Sequence, residues 1–300
     1  MTAPKSIQET VQLANGVQMP KFGFGTWKMT MTTDTVRTMV RENIEMGLRL
    51  VDTASLYANE GGVGKGFRDS GLAREDFFVV SKLWNQDQGY DSAIAAVEES
   101  LEDLGLDYID LYLIHWPVGH NHDHDWQQQN LDSWRAFEKL YRDGKLRALG
   151  VSNFLPHHLE PLMEKAEIPI TVNEIEVTLG YHQEEARAFN AAHGIATIAY
   201  APLGGVRAER PELAPLCEKY GKTPHQICLR WIQQLGCIPI PSSYDPAHMR
   251  ANTDIFDFEL TSDECAYLAT LPNTKPFHQH PDTTRIPIEG HMDRHNRTKV

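Results

Sequence analysis

Cations are scarce in this chain: 28 Lys and Arg stand against 41 Asp and Glu, a formal net charge of −13. A surface of that sign repels nucleic acid and anionic membrane, so neither is an expected partner. Any anion site must therefore be built locally. No apolar run approaches the ~20 residues that span a bilayer. Met1 to Glu9 lack the apolar stretch of a secretory signal. Cysteine is sparse, and Cys217, Cys228, Cys237 and Cys265 form neither a C-x-x-C pair nor a metal-like spacing. A reduced, cytoplasmic protein with buried thiols is expected. No linker or low-complexity segment divides the chain, so residues 1–300 read as one domain, with a tail from about 273. The dinucleotide fingerprint G-x-G-x-x-G is also missing. In the stretch Gly61 to Gly66, Phe67 takes the place of its last glycine, and Walker A spacing is absent. That stretch reads as a flexible turn into the next helix.

What is present is a repeating theme. Val11 to Pro20 carries Asn15-Gly16 between alternating residues, the signal of a two-residue hairpin. Apolar runs then begin at Phe22, Leu48, Phe77, Ile109, Leu146, Thr171, Ile195 and Cys237, each followed by a helix-like segment. Ile94, Val97, Leu101 and Leu104 recur at helical spacing before Gly105, a stop signal. Thr223-Pro224 offers an N-cap and a proline suited to the first helical position. Alternating strands and helices argue for a parallel sheet. Eight repeats argue for a closed (β/α)8 TIM barrel. The Pro- and His-rich C-terminal tail breaks the pattern and is either a frayed end or a loop over the barrel mouth.

Barrel enzymes place catalysis at the C-terminal ends of their strands. The second, third and fourth runs end in Asp52, Lys82 and His115, and Tyr57 follows Asp52 in the loop. Taken singly, each has a structural explanation, such as a helix cap for Asp52. Together, at equivalent positions of three successive units, they point into one mouth.

At these residues the sequence resembles the aldo-keto reductase superfamily. The motifs are GLRLVDTASLYANEGGVG from Gly47, LGLDYIDLYLIHWP from Leu104, GKLRALGVSNF from Gly144 and IPSSYDPAHMRAN from Ile240. Within it the chain looks most like the bacterial 2,5-diketo-gluconate reductase type. The resemblance implies a catalytic set of Tyr57, Asp52, Lys82 and His115, reducing a small carbonyl with NADH or NADPH. Tyr57 would give the proton, Lys82 would lower the phenol's pKa, Asp52 would orient Lys82, and His115 would orient the carbonyl oxygen.

The resemblance also implies cofactor contacts. Ser152, Asn153 and Glu174 would meet the nicotinamide carboxamide, Tyr200 would stack beneath its ring, and Gly25, Thr26, Trp27 and Asp52 would line the mouth near it. Ala201, Leu203 and Gly204 would follow along the cofactor, and Ser242, Ser243, His248 and Asn252 would take its phosphate and adenine end. A core tyrosine is the plain alternative for Tyr200. Trp27, Trp84, Trp116, Tyr57 and His115 would surround the substrate, with core packing the alternative for each Trp. The tail from His278 to Ile288, stiffened by Pro281 and Pro287, would close over the pocket. Arg285 would meet a carboxylate there or stay solvated.

Two departures stand out. Relatives carry Gln where Glu174 stands, and a carboxylate cannot donate as an amide does. NADPH-preferring relatives carry Lys and Arg where Ser242 and His248 stand. Each missing charge-assisted hydrogen bond is worth about 1.5–3 kcal/mol, so NADH use at least comparable with NADPH is expected. Arg250 could swing in to replace one cation. The cluster His120, His122, Asp123, His124 and Asp125 reads as a polar loop, and no metal is expected. A monomer is expected. A cofactor-binding sensor with the same fold is the alternative function.

Overall fold

The computed structural model describes residues 3–27, 32–119, 122–204, 210–272 and 279–283. A hairpin of β1 (Thr10–Gln12) and β2 (Gln18–Pro20) comes first. Its turn is wider than the two residues expected. Leu13 N–H donates to Val17 O at 2.8 Å and Gly16 N–H to Leu13 O at 2.8 Å, with Gly16 at φ +88°. The extra residue is absorbed by a left-handed glycine, which a side chain would strain. Leu13 and Met19 join the apolar interior of the barrel, so the hairpin plugs its lower end.

The eight apolar runs form β3 (Phe24–Gly25), β4 (Leu50–Asp52), β5 (Phe78–Leu83), β6 (Ile109–Ile114), β7 (Leu146–Ser152), β8 (Val172–Glu176), β9 (Ala196–Tyr200) and β10 (Cys237–Pro239). They pair in parallel and in sequence order. Gly23 N–H donates to Pro239 O at 3.2 Å and Gly25 N–H to Pro241 O at 3.1 Å, joining the first strand to the last. The result is a (β/α)8 TIM barrel.

Helices α1 (Thr33–Glu45), α2 (Glu60–Ser70), α3 (Tyr90–Leu104), α4 (Trp126–Arg142), α5 (Pro156–Met163) and α6 (Glu184–Ala192) follow their strands, as do α7 (Ala214–Tyr220) and α8 (Pro224–Gln234). After β10 come α9 (Pro246–Thr253) and α10 (Ser262–Thr270). None of the described helices is long and apolar enough to cross a membrane.

The glycine-rich stretch is not a turn but the body of α2. A Cβ on Gly64 would lie 1.8 Å from Leu104 O, and one on Gly62 would lie 2.7 Å from Val36 Cβ. Glycine weakens an isolated helix by ~1 kcal/mol relative to alanine. Here it lets α2 press onto α1 and α3, and close packing outweighs local preference. The thiols are free; Cys228 and Cys237 are buried, while Cys217 and Cys265 are only partly so.

Candidate active site

The strand ends bring the expected side chains together. Asp52 closes β4, Lys82 lies near the end of β5, and His115 follows β6. Lys82 Nζ donates to Asp52 Oδ2 at 2.5 Å, to Thr53 O at 3.0 Å and to Tyr57 Oη at 3.5 Å. Glu174 Oε1 lies 3.3 Å from the same ammonium. The Tyr57 ring packs edge-on to His115 at 5.8 Å and beside Trp27 at 4.9 Å. Trp84 meets His115 edge-on at 5.2 Å. Trp84 and Trp116 are buried, whereas Trp27 is exposed at the rim.

Burial works against charge on Lys82, but Asp52 and Glu174 more than offset it and hold the amine above its ordinary range. Burial and the Lys82 charge push His115 well below the usual imidazole range, so it is neutral. Its Nδ1 is buried with no hydrogen-bond partner. Tyr57 differs from the expectation of a lowered phenol. Enclosure raises it, Lys82 offsets only part of that, and Asp52 and Glu174 add to the rise. The phenol therefore holds its proton at neutral pH.

Beside this cluster, Ser152 pairs in register with Glu174. Asn153 sits at φ +64°, a left-handed conformation that Asn tolerates better than most residues. Its N–H donates to Glu174 O at 2.9 Å and its Nδ2 to His115 O at 3.0 Å and Ser152 Oγ at 3.0 Å. Tyr200 Oη donates to Asn153 Oδ1 at 2.8 Å. Glu174 Oε2 is buried and has no protein partner. That orphaned oxygen is an acceptor without a donor, which would suit the amide N–H of a carboxamide-bearing cofactor. Thr26 is committed elsewhere, donating to Asp52 O at 2.9 Å. Ala201 and Leu203 after β9 are half-buried, and Gly204 is exposed.

The segment after β10 is different. Ser242, Asp245, His248 and Arg250 are exposed, and only Asn252 and Met249 of this segment's helix are buried. Asp245 caps α9, accepting from Ala247 N–H at 2.8 Å, and its Oδ2 lies 3.8 Å from His248 Nε2. Sequence reading missed Asp245, although Asp before Pro at a helix start was a legible cap signal. It also missed Asn59, whose Nδ2 donates to Thr26 O at 3.0 Å and whose Oδ1 accepts from Thr53 Oγ1 at 2.7 Å.

Of the C-terminal tail, residues 279–283 are described. Gln279 and Pro281 lie over Asn153, Glu176 and Tyr200, at the mouth. Asp282 Oδ1 is 2.9 Å from both His157 Nε2 and His158 Nε2. His278, Arg285, Pro287 and Ile288 lie outside the described residues. This trio has converging atoms, but His158 Nδ1 accepts from Leu155 N–H at 3.1 Å. The neutral ring therefore carries its proton on Nε2, where a metal would have to bind, whereas metal-bound His normally donates from the other nitrogen. The trio is a hydrogen-bonded clamp. In the His-rich loop, His120 and Asn121 lie outside the described residues, and His122 Nδ1 contacts Asp125 Oδ1 at 2.8 Å.

Known proteins match this arrangement along most of the chain. Glyoxal reductase of Bacillus subtilis (strain 168) is 44% identical over 280 residues, covering 93% of this chain and 98% of its own. The 9,11-endoperoxide prostaglandin H2 reductase of Trypanosoma cruzi (strain CL Brener) is 42% identical over 276 residues, covering 91% and 94%. The Bombyx mori aldo-keto reductase solved in complex with NADP superposes with a TM-score of 0.81 at 35% identity, covering 90% and 92%. The family model for the Aldo/keto reductase family matches residues 21–272, and the chain belongs to that family.

Proposed function

We propose that this protein reduces small aldehydes and ketones with a nicotinamide cofactor, Tyr57 giving the proton. The carrying observation is the buried chain from Asp52 through Lys82 to Tyr57, at 2.5 and 3.5 Å. The bound cofactor supplies the hydride for the carbonyl carbon. Tyr57 Oη gives its proton to the carbonyl oxygen, and Lys82 stabilises the phenolate left behind. Asp52 keeps Lys82 charged and aimed. Neutral His115 offers a hydrogen bond that holds the carbonyl oxygen near Tyr57. Trp27, Trp84 and Trp116 form apolar walls that exclude water and suit small carbonyl compounds.

Ser152, Asn153, Glu174 and Tyr200 would hold the nicotinamide end, and Ser242, Ser243 and Asn252 the adenosine end. NADH use at least comparable with NADPH follows from the missing cations. Asp245 supports that reading, because its exposed carboxylate lies 3.8 Å from His248 Nε2 and adds negative charge to the segment that lacks the cations. Parallel kcat/KM titrations with both cofactors, using a small dicarbonyl such as glyoxal, test both parts. Turnover with NADH equal to or above NADPH is expected. A strong NADPH preference would overturn the cofactor reading. Cofactor binding without oxidation across a carbonyl panel would favour a sensor.

A further inference from the structure

Lys82 is one cation between two carboxylates. Asp52 Oδ2 is 2.5 Å away and Glu174 Oε1 is 3.3 Å away, and the three side chains are at most 3% exposed. With both carboxylates ionised the enclosed cluster carries a net −1; with one protonated it is neutral. An uncompensated buried charge is the costly state, and two carboxylates sharing a site retain a proton. Asp52 makes the shorter contact with the ammonium, so Glu174 is the carboxyl that stays protonated. A neutral acid also suits its Oε2, which is buried without a partner.

The groups facing Glu174 agree. Asp52 on β4, itself pushed up by burial but nearest the ammonium, takes the negative charge, and Lys82 on β5 is the cation. His115 after β6 is neutral, and Tyr57 and Tyr200 hold their protons. Glu176 lies two residues along the same strand and adds negative charge near Tyr200. Burial first, then Asp52, push the Glu174 carboxyl well above the ordinary carboxylate range.

We propose that Glu174 is a positioning residue that works as a neutral acid, sharing one proton with Asp52, and that losing this proton at alkaline pH slows proton donation by Tyr57. The sign follows from charge. The extra negative charge raises the Tyr57 phenol further, making it a weaker acid toward the carbonyl oxygen. An amide at this position cannot titrate, so it cannot produce the effect. The inference rests on the reading of Tyr57 as proton donor, but the presence of the proton can be tested apart from it.

Two experiments decide it. First, kcat for carbonyl reduction is measured against pH for wild type and Glu174→Gln. The wild-type alkaline limb is expected to move up by about one pH unit or more in the variant. A merely structural role would change the height of the profile and not the position of the limb, so superimposable limbs overturn the proposal. Second, infrared spectra are recorded without cofactor on protein carrying 13C-labelled Glu. A protonated-carboxyl band is expected at neutral pH, absent in Glu174→Gln and also absent in Asp52→Asn, where Glu174 becomes the only anion beside Lys82. A band surviving in both variants, or wild-type spectra showing no such band, overturns it. An unmoved alkaline limb with a normally inactive Tyr57→Phe rejects this inference alone; an active Tyr57→Phe rejects the catalytic reading while the infrared result still stands.

Discussion

The two ends of the groove are built on opposite terms. At the catalytic end, Asp52, Lys82 and Glu174 are almost fully buried and are held by three different strands. At the proposed adenosine end, His248 and Asp245 keep 74% and 52% of their side-chain surface exposed and sit on one short helix start. Buried charges stand or fall together, because removing one strands the others. Exposed ones act through water, weakly and separately. On the proposed reading, the chemistry therefore rests on coupled buried charges and the choice of cofactor on separable exposed ones.

Breaking the buried end gives the largest expected effect. Lys82→Met keeps the bulk and deletes the cation, leaving the Asp52 carboxylate uncompensated. Turnover should fall by about 10²–10⁴-fold, and stability by ~3–5 kcal/mol, read from steady-state rates and urea unfolding. A variant with wild-type stability would show the cluster to be less coupled than its distances imply.

The double change Ser242→Lys with His248→Arg should come next. At exposed positions each new charge-assisted bond is screened, so the ratio of kcat/KM for NADPH over NADH should rise by roughly 10- to 100-fold. The change should be confined to cofactor KM, with kcat nearly constant; a fall in kcat would show that the two ends are not independent.

The clamp at the mouth supplies a pH test of intermediate size. Burial and His157 hold His158 down to about 4 from an ordinary 6.5. Between those values the unfolded chain binds more protons, so stability rises with pH there and is lost as pH falls from 6.5 towards about 4. The stability difference between wild type and His158→Gln should shrink over that window in urea titrations. A constant difference would mean that the ring titrates normally. The smallest effect belongs to Asp245→Asn, a gain in NADPH use of about 2- to 3-fold that fades in high salt.

Sequence legibility follows the same division. All eight strands were readable, because each apolar run is followed by a helix-like segment. Tyr57, Asp52, Lys82 and His115 were readable because equivalent positions of a repeat carried them. Contacts between distant segments were not. Asp282 meets His157 and His158 from far along the sequence, 125 residues from His157, with no local signal at any of them. The glycines of α2 read as a turn because their purpose, the approach of α3 to Gly64, lies in another helix. Glu174 was legible as a departure from relatives, but its pairing with Asp52 and Lys82 needed three strands in register.

The most direct test is Tyr57→Phe, which removes the phenolic oxygen and little else. Cofactor affinity is measured by fluorescence titration and turnover by cofactor oxidation with a small aldehyde. Affinity should stay within about 3-fold of wild type while kcat falls by at least ~10³-fold. A variant that binds cofactor normally and still reduces the aldehyde at near wild-type rate would contradict the assignment of Tyr57 as the proton donor.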